Sequence, residues 1–246
     1  MPTEKPAPAG RGWIVFWAIA SGLGVSSATG SLPFALLYRF NLGLHPEIPW
    51  LALAELAFVP LLLVWLNGWG PPKAAAQARR QNLRLWRTPP DGQGRWSPDV
   101  LLLVAVIVAL DALHILFANS LGGPKALPDM HEFPTTALRF SAFIMGALLS
   151  GVGEEAGFRG YMQSQLERFG LTFAIVVTSV VFTLAHLTHG WAILPEMPGI
   201  FIISVLYGLL AWRTGSILPA MFLHVFGDLA DAYFITLGGH GALLFA

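Results

Sequence analysis

The sequence predicts an all-α fold, a polytopic membrane helical bundle of about seven to eight transmembrane helices, and three observations carry that reading. Hydrophobic residues make up 55% of the 246 residues and charged residues only 11%, where a soluble domain ordinarily carries about 25% charged residues. Mean hydropathy is +0.63. The apolar residues fall in long runs without period-two alternation, which fits helices and excludes barrel strands. A surface this poor in charge is stable only against lipid.

Crossing a hydrocarbon core of roughly 30 Å takes about 20 apolar residues in a helix. Runs of that kind occupy 13–38, 48–67, 99–118, 136–157, 171–188, 197–213 and 216–237. Turn chemistry separates them: His45-Pro46, Trp69-Gly70-Pro71-Pro72, Gly122-Gly123-Pro124, Phe169-Gly170, Pro195 to Gly199, and Thr214-Gly215. The first run is too long for the core of a cleaved signal peptide. It reads as a retained helix, bent near Pro33, behind a short polar tail of residues 1–12. Residues 13–246 are expected to form one bundle. No internal repeat of fixed period appears, so a repeat-built transporter finds no support.

Lysines and arginines set the expected orientation. The loop 68–98 holds Lys73, Arg79, Arg80, Arg84, Arg87 and Arg95. Placing it in the cytoplasm puts Lys5, Arg11, Arg168 and Arg213 there too, and leaves Arg39 and Lys125 outside. The N-terminus is therefore expected to be cytoplasmic, in a bacterial-type inner membrane. The basic loop itself reads as a topology determinant and lipid-headgroup contact. Trp13, Trp50, Trp65, Trp69 and Trp191 lie near span ends and read as interfacial anchors. The formal net charge is zero, which offers no basic field for nucleic acid. The absence of cysteine excludes disulfides, thiol catalysis and thiolate metal ligands.

Ionisable groups inside a membrane helix are expensive and point to function. Glu154, Glu155 and Arg159 lie around the end of the fourth run. Glu155 and Arg159 are i,i+4 and share a helix face, which suits a charge pair. Glu154 is turned about 100° from Glu155 and is free to point elsewhere; a second carboxylate beside such a pair suits a general base. Phe182 and His186 follow on the fifth run, and His224 and Asp228, again i,i+4, on the last. A lone membrane histidine is ordinarily an interhelical hydrogen bond, and a lone Glu–Arg pair is as often a packing device. Their combination is not ordinary. Glu154 and His186 each stand sixteen residues from the turn at Gly170, about 24 Å at the helical rise, so the two face each other at one level. Gly153 and Gly157 form a small-xxx-small pair that lets a neighbouring helix approach. Glu55, Asp111 and His114 are further polar residues within apolar runs, and Asp111 and His114, at i,i+3, are expected to satisfy each other.

These residues resemble the CPBP family, the CAAX proteases and bacteriocin-processing enzymes also called Abi. The family pattern is Glu-Glu-x-x-x-Arg, then Phe-x-x-x-His, then His-x-x-x-Asn or Asp, matched here by Glu154, Glu155 and Arg159, by Phe182 and His186, and by His224 and Asp228. The resemblance covers about residues 135–232. It implies an intramembrane endopeptidase related to type II CAAX prenyl proteases, acting on a membrane peptide or a prenylated protein. By that resemblance Glu154 is the base, His186 helps to hold the water, and His224 and Asp228 stabilise the oxyanion. Glu155 and Arg159 fix helix geometry, and Phe182 lies on the substrate side. No cofactor is expected. The family's metalloprotease label leaves zinc as the alternative, with Glu154, His186, His224 and Asp228 as ligands, although no His-Glu-x-x-His motif is present. The competing function is a non-catalytic scaffold or immunity-type protein with the same bundle. An ion-coupled transporter would spread its polar groups over the full membrane depth, whereas here they cluster.

Overall fold

In the computed structural model the described residues are 10–28, 84, 89, 94, 96–120 and 146–231. The expected span 48–67, Glu55, Gly123, Arg39, Lys125 and most of the basic loop lie outside them. Helix α1 covers Arg11–Ser26 and α2 covers Pro98–Ser120. Helix α3 runs through 146–154 and continues as a π-helical segment, Glu155–Gln163, before ending over Ser164–Leu166 and a 3-10 turn, Glu167–Phe169. Helix α4 is Leu171–Ala185, followed by the 3-10 turns His186–His189 and Trp191–Ile193. Helices α5, Met197–Thr214, and α6, Leu218–Asp231, complete the set. Among the described residues there is no strand.

Among the described residues, three helical stretches are long and apolar enough to cross a membrane: Pro98–Leu116, Leu171–Thr188 and Met197–Thr214. They coincide with the expected spans 99–118, 171–188 and 197–213. The larger expected count is not reached among the described residues, where α1 has 16 residues and α6 has 14. Outward-facing Leu102, Val180, Ile202 and Phe222 are exposed on the bundle surface. Lipid tails match such side chains in polarity, so this face needs no protein cover.

Helices α3 and α4 form a hairpin turned by Gly170, whose φ of 109° and ψ of 147° belong to a region essentially reserved for glycine. The register about that turn is symmetric. Phe158 and Phe182, each twelve residues from Gly170, meet edge to face with ring centroids 5.0 Å apart. Around them pack Ala18, Met162, Leu166 and Ala174. A second cluster, Val100, Ile107, Tyr207, Leu210, Ala220 and Leu223, joins α2 to α5 and α6.

Small residues allow the close approaches. Gly157 admits a neighbouring helix as expected: its Cβ would stand 2.4 Å from the Gly22 carbonyl oxygen and 2.7 Å from the Ser26 nitrogen, so α1 lies directly on the π segment. Gly151, six residues earlier, makes room for α6: its Cβ would stand 2.8 Å from the Val225 nitrogen.

The described basic residues expected on one side of the membrane gather at one end of the bundle. The Arg11 guanidinium lies over the Phe169 and Phe173 rings at 5.0 and 4.9 Å. Arg84 pairs with Glu167, and its carbonyl accepts from the Ile217 N–H at 3.0 Å. Arg213 pairs with Asp99 at 2.6 Å. The turns at Gly170 and Gly215 share this end, the second closing α5 with a left-handed residue (φ 64°).

Candidate functional site

The site is built where α3 changes from α- to π-helical geometry. A π segment places one extra residue in the helix and frequently marks a functional site. Glu154 is its cap and Glu155 its first residue. The Glu155–Arg159 pair survives the change of pitch: Arg159 Nη1 donates to Glu155 Oε1 at 2.8 Å, with both side chains fully buried. Arg159 Nη2 also donates to the Ser204 carbonyl at 3.1 Å and to Ser204 Oγ at 2.9 Å, which ties α3 to α5. The guanidinium lies over the Phe182 ring at 4.5 Å and the Tyr207 ring at 5.4 Å. Burying such a cation requires this many partners.

Glu155 in turn fixes His224 on α6. His224 Nδ1 stands 3.0 Å from Glu155 Oε1 and, in the tautomer that donates there, carries the proton. The ring is stacked on Tyr207, with centroids 5.3 Å apart and planes 26° from parallel. Held on both counts, His224 aims Nε2 at two further carboxylates. It lies 3.8 Å from Glu154 Oε2 and 3.8 Å from Asp228 Oδ1. Glu154 Oε1 accepts from Ser150 Oγ at 3.0 Å. Its Oε2 is buried without a hydrogen-bond partner. A water about 2.8 Å from each of Glu154 Oε2 and His224 Nε2 fits their separation.

His186, at the end of α4, has its Nδ1 2.9 Å from the Phe182 carbonyl oxygen, one helical turn earlier. Its ring packs on Phe182 at 4.7 Å, and Phe182 also lies edge-on to His224 at 6.0 Å. The two histidines thus share one phenylalanine.

The structure therefore gathers Glu154, Glu155, Arg159, His224 and Asp228 in one linked set, with Phe182 against it and His186 packed on Phe182. Three contributors were not singled out from the sequence. Ser150 is i−4 from Glu154, and Ser204 and Tyr207 are i,i+3 polar groups in the apolar run of α5; those spacings were the available signals. Asp111 and His114 interact electrostatically, as their spacing suggests, and α6 adds further neighbours: His114 Nε2 faces Asp231 Oδ2 at 3.8 Å, and Asp111 lies beside Gly227.

A zinc site would need its ligands to converge. Among the described residues no group of three or more His, Asp or Glu side chains does so, and His224 has Nδ1 engaged by Glu155. The arrangement as it stands does not fit the four-ligand alternative, and no step below runs through a metal.

Residues 136–230 match a family model described as type II CAAX prenyl endopeptidase Rce1-like. The matched segment holds α3 to α6 almost entire, and with them every residue of the linked set. This supports assignment to the CPBP, or CAAX protease, family. No curated protein and no solved structure matches the chain significantly.

Proposed function

We propose, proceeding from the Rce1-like match over residues 136–230, that this protein is an intramembrane endopeptidase that cleaves membrane-associated peptides or CAAX-type C-termini with a water activated by Glu154. The observation that carries the reading is the buried, unpartnered Glu154 Oε2 opposite His224 Nε2 at 3.8 Å. A carboxylate oxygen without a donor, inside an apolar bundle, is costly unless a ligand or water completes it.

In this mechanism Glu154 takes a proton from the water as its oxygen bonds to the scissile carbonyl carbon. His224, protonated on both nitrogens as the imidazolium, holds Glu155 with Nδ1–H and presents Nε2–H to the developing oxyanion, which requires a donor aimed at the new charge. Collapse of the intermediate breaks the carbon–nitrogen bond. The proton on Glu154 passes to the leaving amine. By the hairpin register that brings Phe158 to Phe182, His186 stands at the level of Glu154 and helps to hold the water. Asp228, beside Nε2, keeps the imidazole in place. Arg159 touches no reacting atom and acts by holding Glu155. The chain would sit in a bacterial-type inner membrane with its N-terminus and the basic end of the bundle in the cytoplasm.

The test is cleavage of a fluorogenic prenylated CAAX peptide by detergent-purified protein, run with and without a chelator and beside Glu154→Gln. Cleavage retained with chelator and lost in Glu154→Gln, with an unchanged melting profile, is the expected result. Full activity in Glu154→Gln overturns the assignment of the base, and loss of activity on chelation overturns the metal-free mechanism. Wild-type protein that cleaves neither this peptide nor a panel of membrane peptides overturns the peptidase reading in favour of a scaffold.

A further inference from the structure

We infer that Asp111, contributed by α2 from outside the Rce1-like segment, is a positioning residue of this site that acts on His224 through Tyr207. The inference rests on the reading of the site given above and extends it to a helix that the family match does not reach.

The argument starts from α2 as a sequence. Asp111 lies deep in a long apolar spanning run, and a carboxylate there calls for a functional reason. His114, one turn on, interacts with it electrostatically but is shared with Asp231, which it faces at 3.8 Å. Asp111 is placed by Ile107, one turn earlier on the same face and fully buried in the cluster with Tyr207, Ala220 and Leu223. That packing turns the face carrying Asp111 toward α5 and α6.

Gly227 then admits it. A Cβ on Gly227 would be 3.4 Å from Asp111 Oδ2, 3.7 Å from Asp111 Cγ and 4.0 Å from the Tyr207 hydroxyl oxygen. The carboxylate and the phenol oxygen therefore both border the bare backbone of the residue that precedes Asp228, each within 4 Å of the same point. Tyr207 is 3% exposed and its ring is the surface on which the His224 imidazole lies. A phenol that donates to Asp111, directly or through one water, has its ring plane fixed. The stacked imidazole then keeps Nδ1 on Glu155 and Nε2 between Glu154 and Asp228.

Among the described residues, Glu154 and Glu155 face His224 from α3 and Asp228 from α6, Tyr207 stacks on it from α5, and His186 shares Phe182 with it. His114 and Asp231 adjoin Asp111, and Glu196 adjoins Asp231.

The experiment uses the full chain in detergent micelles with nitrogen-15-labelled histidine. The His224 ring signals are assigned by their loss in His224→Gln and followed through a pH titration in wild type, Asp111→Asn, Tyr207→Phe and Gly227→Ala. Gly227→Ala is the steric control: its new methyl makes only ordinary contacts and alanine favours the helix, so carboxylate and phenol stay where they are. The expected result is a displaced His224 signal and titration in Asp111→Asn and Tyr207→Phe, and a wild-type signal in Gly227→Ala. Cleavage in the two displaced variants should show kcat lowered about 10- to 100-fold, the usual effect of losing a partner that orients a reacting group. KM should stay within about twofold, since substrate binding is not what Asp111 serves. Asp111→Glu should restore part of the lost rate, which a purely structural role would not give. An unmoved His224 titration together with full kcat in Asp111→Asn overturns the inference. If no peptide is cleaved even by wild type, the peptidase reading fails, and the His224 titration still decides the role of Asp111.

Discussion

Replacing Arg159 with leucine is the perturbation whose cost follows most directly from the structure. Arg159 and Glu155 are both fully buried and 2.8 Å apart. Removing the cation leaves Glu155 as an uncompensated charge inside the bundle, which costs about 3–5 kcal/mol. Two bonds to Ser204 are lost as well, each about 0.6 kcal/mol on the scale measured within membranes. His224 offsets part of this, since its Nδ1 still faces Glu155 Oε1 at 3.0 Å. A net loss of about 3–5 kcal/mol is therefore expected for Arg159→Leu. Glu155→Gln in the same background removes the stranded charge and keeps an acceptor for His224. The double variant should thus be more stable than Arg159→Leu alone, with a coupling energy of up to about 3 kcal/mol. Reversible unfolding in mixed micelles, followed by tryptophan fluorescence for wild type, both single variants and the double, gives the cycle. Additive single effects, or a loss below about 1 kcal/mol for Arg159→Leu, would refute the buried-pair argument.

Two further substitutions probe the backbone that carries the site. Gly157→Ala drives a Cβ into the Gly22 carbonyl and the Ser26 amide of α1. Because both obstacles are backbone, overpacking should cost about 1–3 kcal/mol, and displacement of the π segment should lower cleavage per folded molecule; unchanged unfolding and activity would refute the contact. Gly170→Ala meets no neighbour within 4 Å, yet its φ of 109° alone should cost about 1–3 kcal/mol. Activity per folded molecule should stay at the wild-type level, since the turn lies at the far end of the hairpin from Glu154; a specific loss of activity would show that the turn sets the site.

The spans were legible because lipid imposes a simple rule. A helix that satisfies its own backbone bonds in hydrocarbon needs only length and apolarity, and the runs at 99–118, 171–188 and 197–213 show both. The hairpin was legible for a related reason: Gly170 stops one helix and starts the next, and equal counts on either side bring Phe158 to Phe182. The Glu155–Arg159 pair was also readable, since i,i+4 spacing keeps a face in the π segment as in the α-helix it replaces.

The close helix contacts were less legible. Gly153-x-x-x-Gly157 satisfies the pattern for approach, but the neighbours are set by which helix arrives. Here α1 arrives at Gly157 through its own Gly22, and α6 arrives at Gly151. Neither partner is marked by spacing, because two glycines 135 residues apart, Gly22 and Gly157, carry no local signature of meeting. Likewise the i,i+3 spacing of Asp111 and His114 marked their interaction, while the further neighbours that α6 supplies, Asp231 and the gap at Gly227, carried no local signature.

By itself the sequence determined that this is a helical membrane protein and that seven residues, from Glu154 to Asp228, carry the chemistry-bearing pattern. Hydropathy and spacing along one helix are local properties, and they survive being read without a fold. The tertiary structure alone decided how those residues address one another. It gave His224 to Glu155 through Nδ1, turned its other nitrogen toward Glu154 and Asp228, laid it on Tyr207, and brought Asp111 to the edge of that stack. Those choices depend on the rotation and depth of four helices packed side by side, and a few ångströms of helix sliding would exchange every partner while leaving the sequence pattern intact.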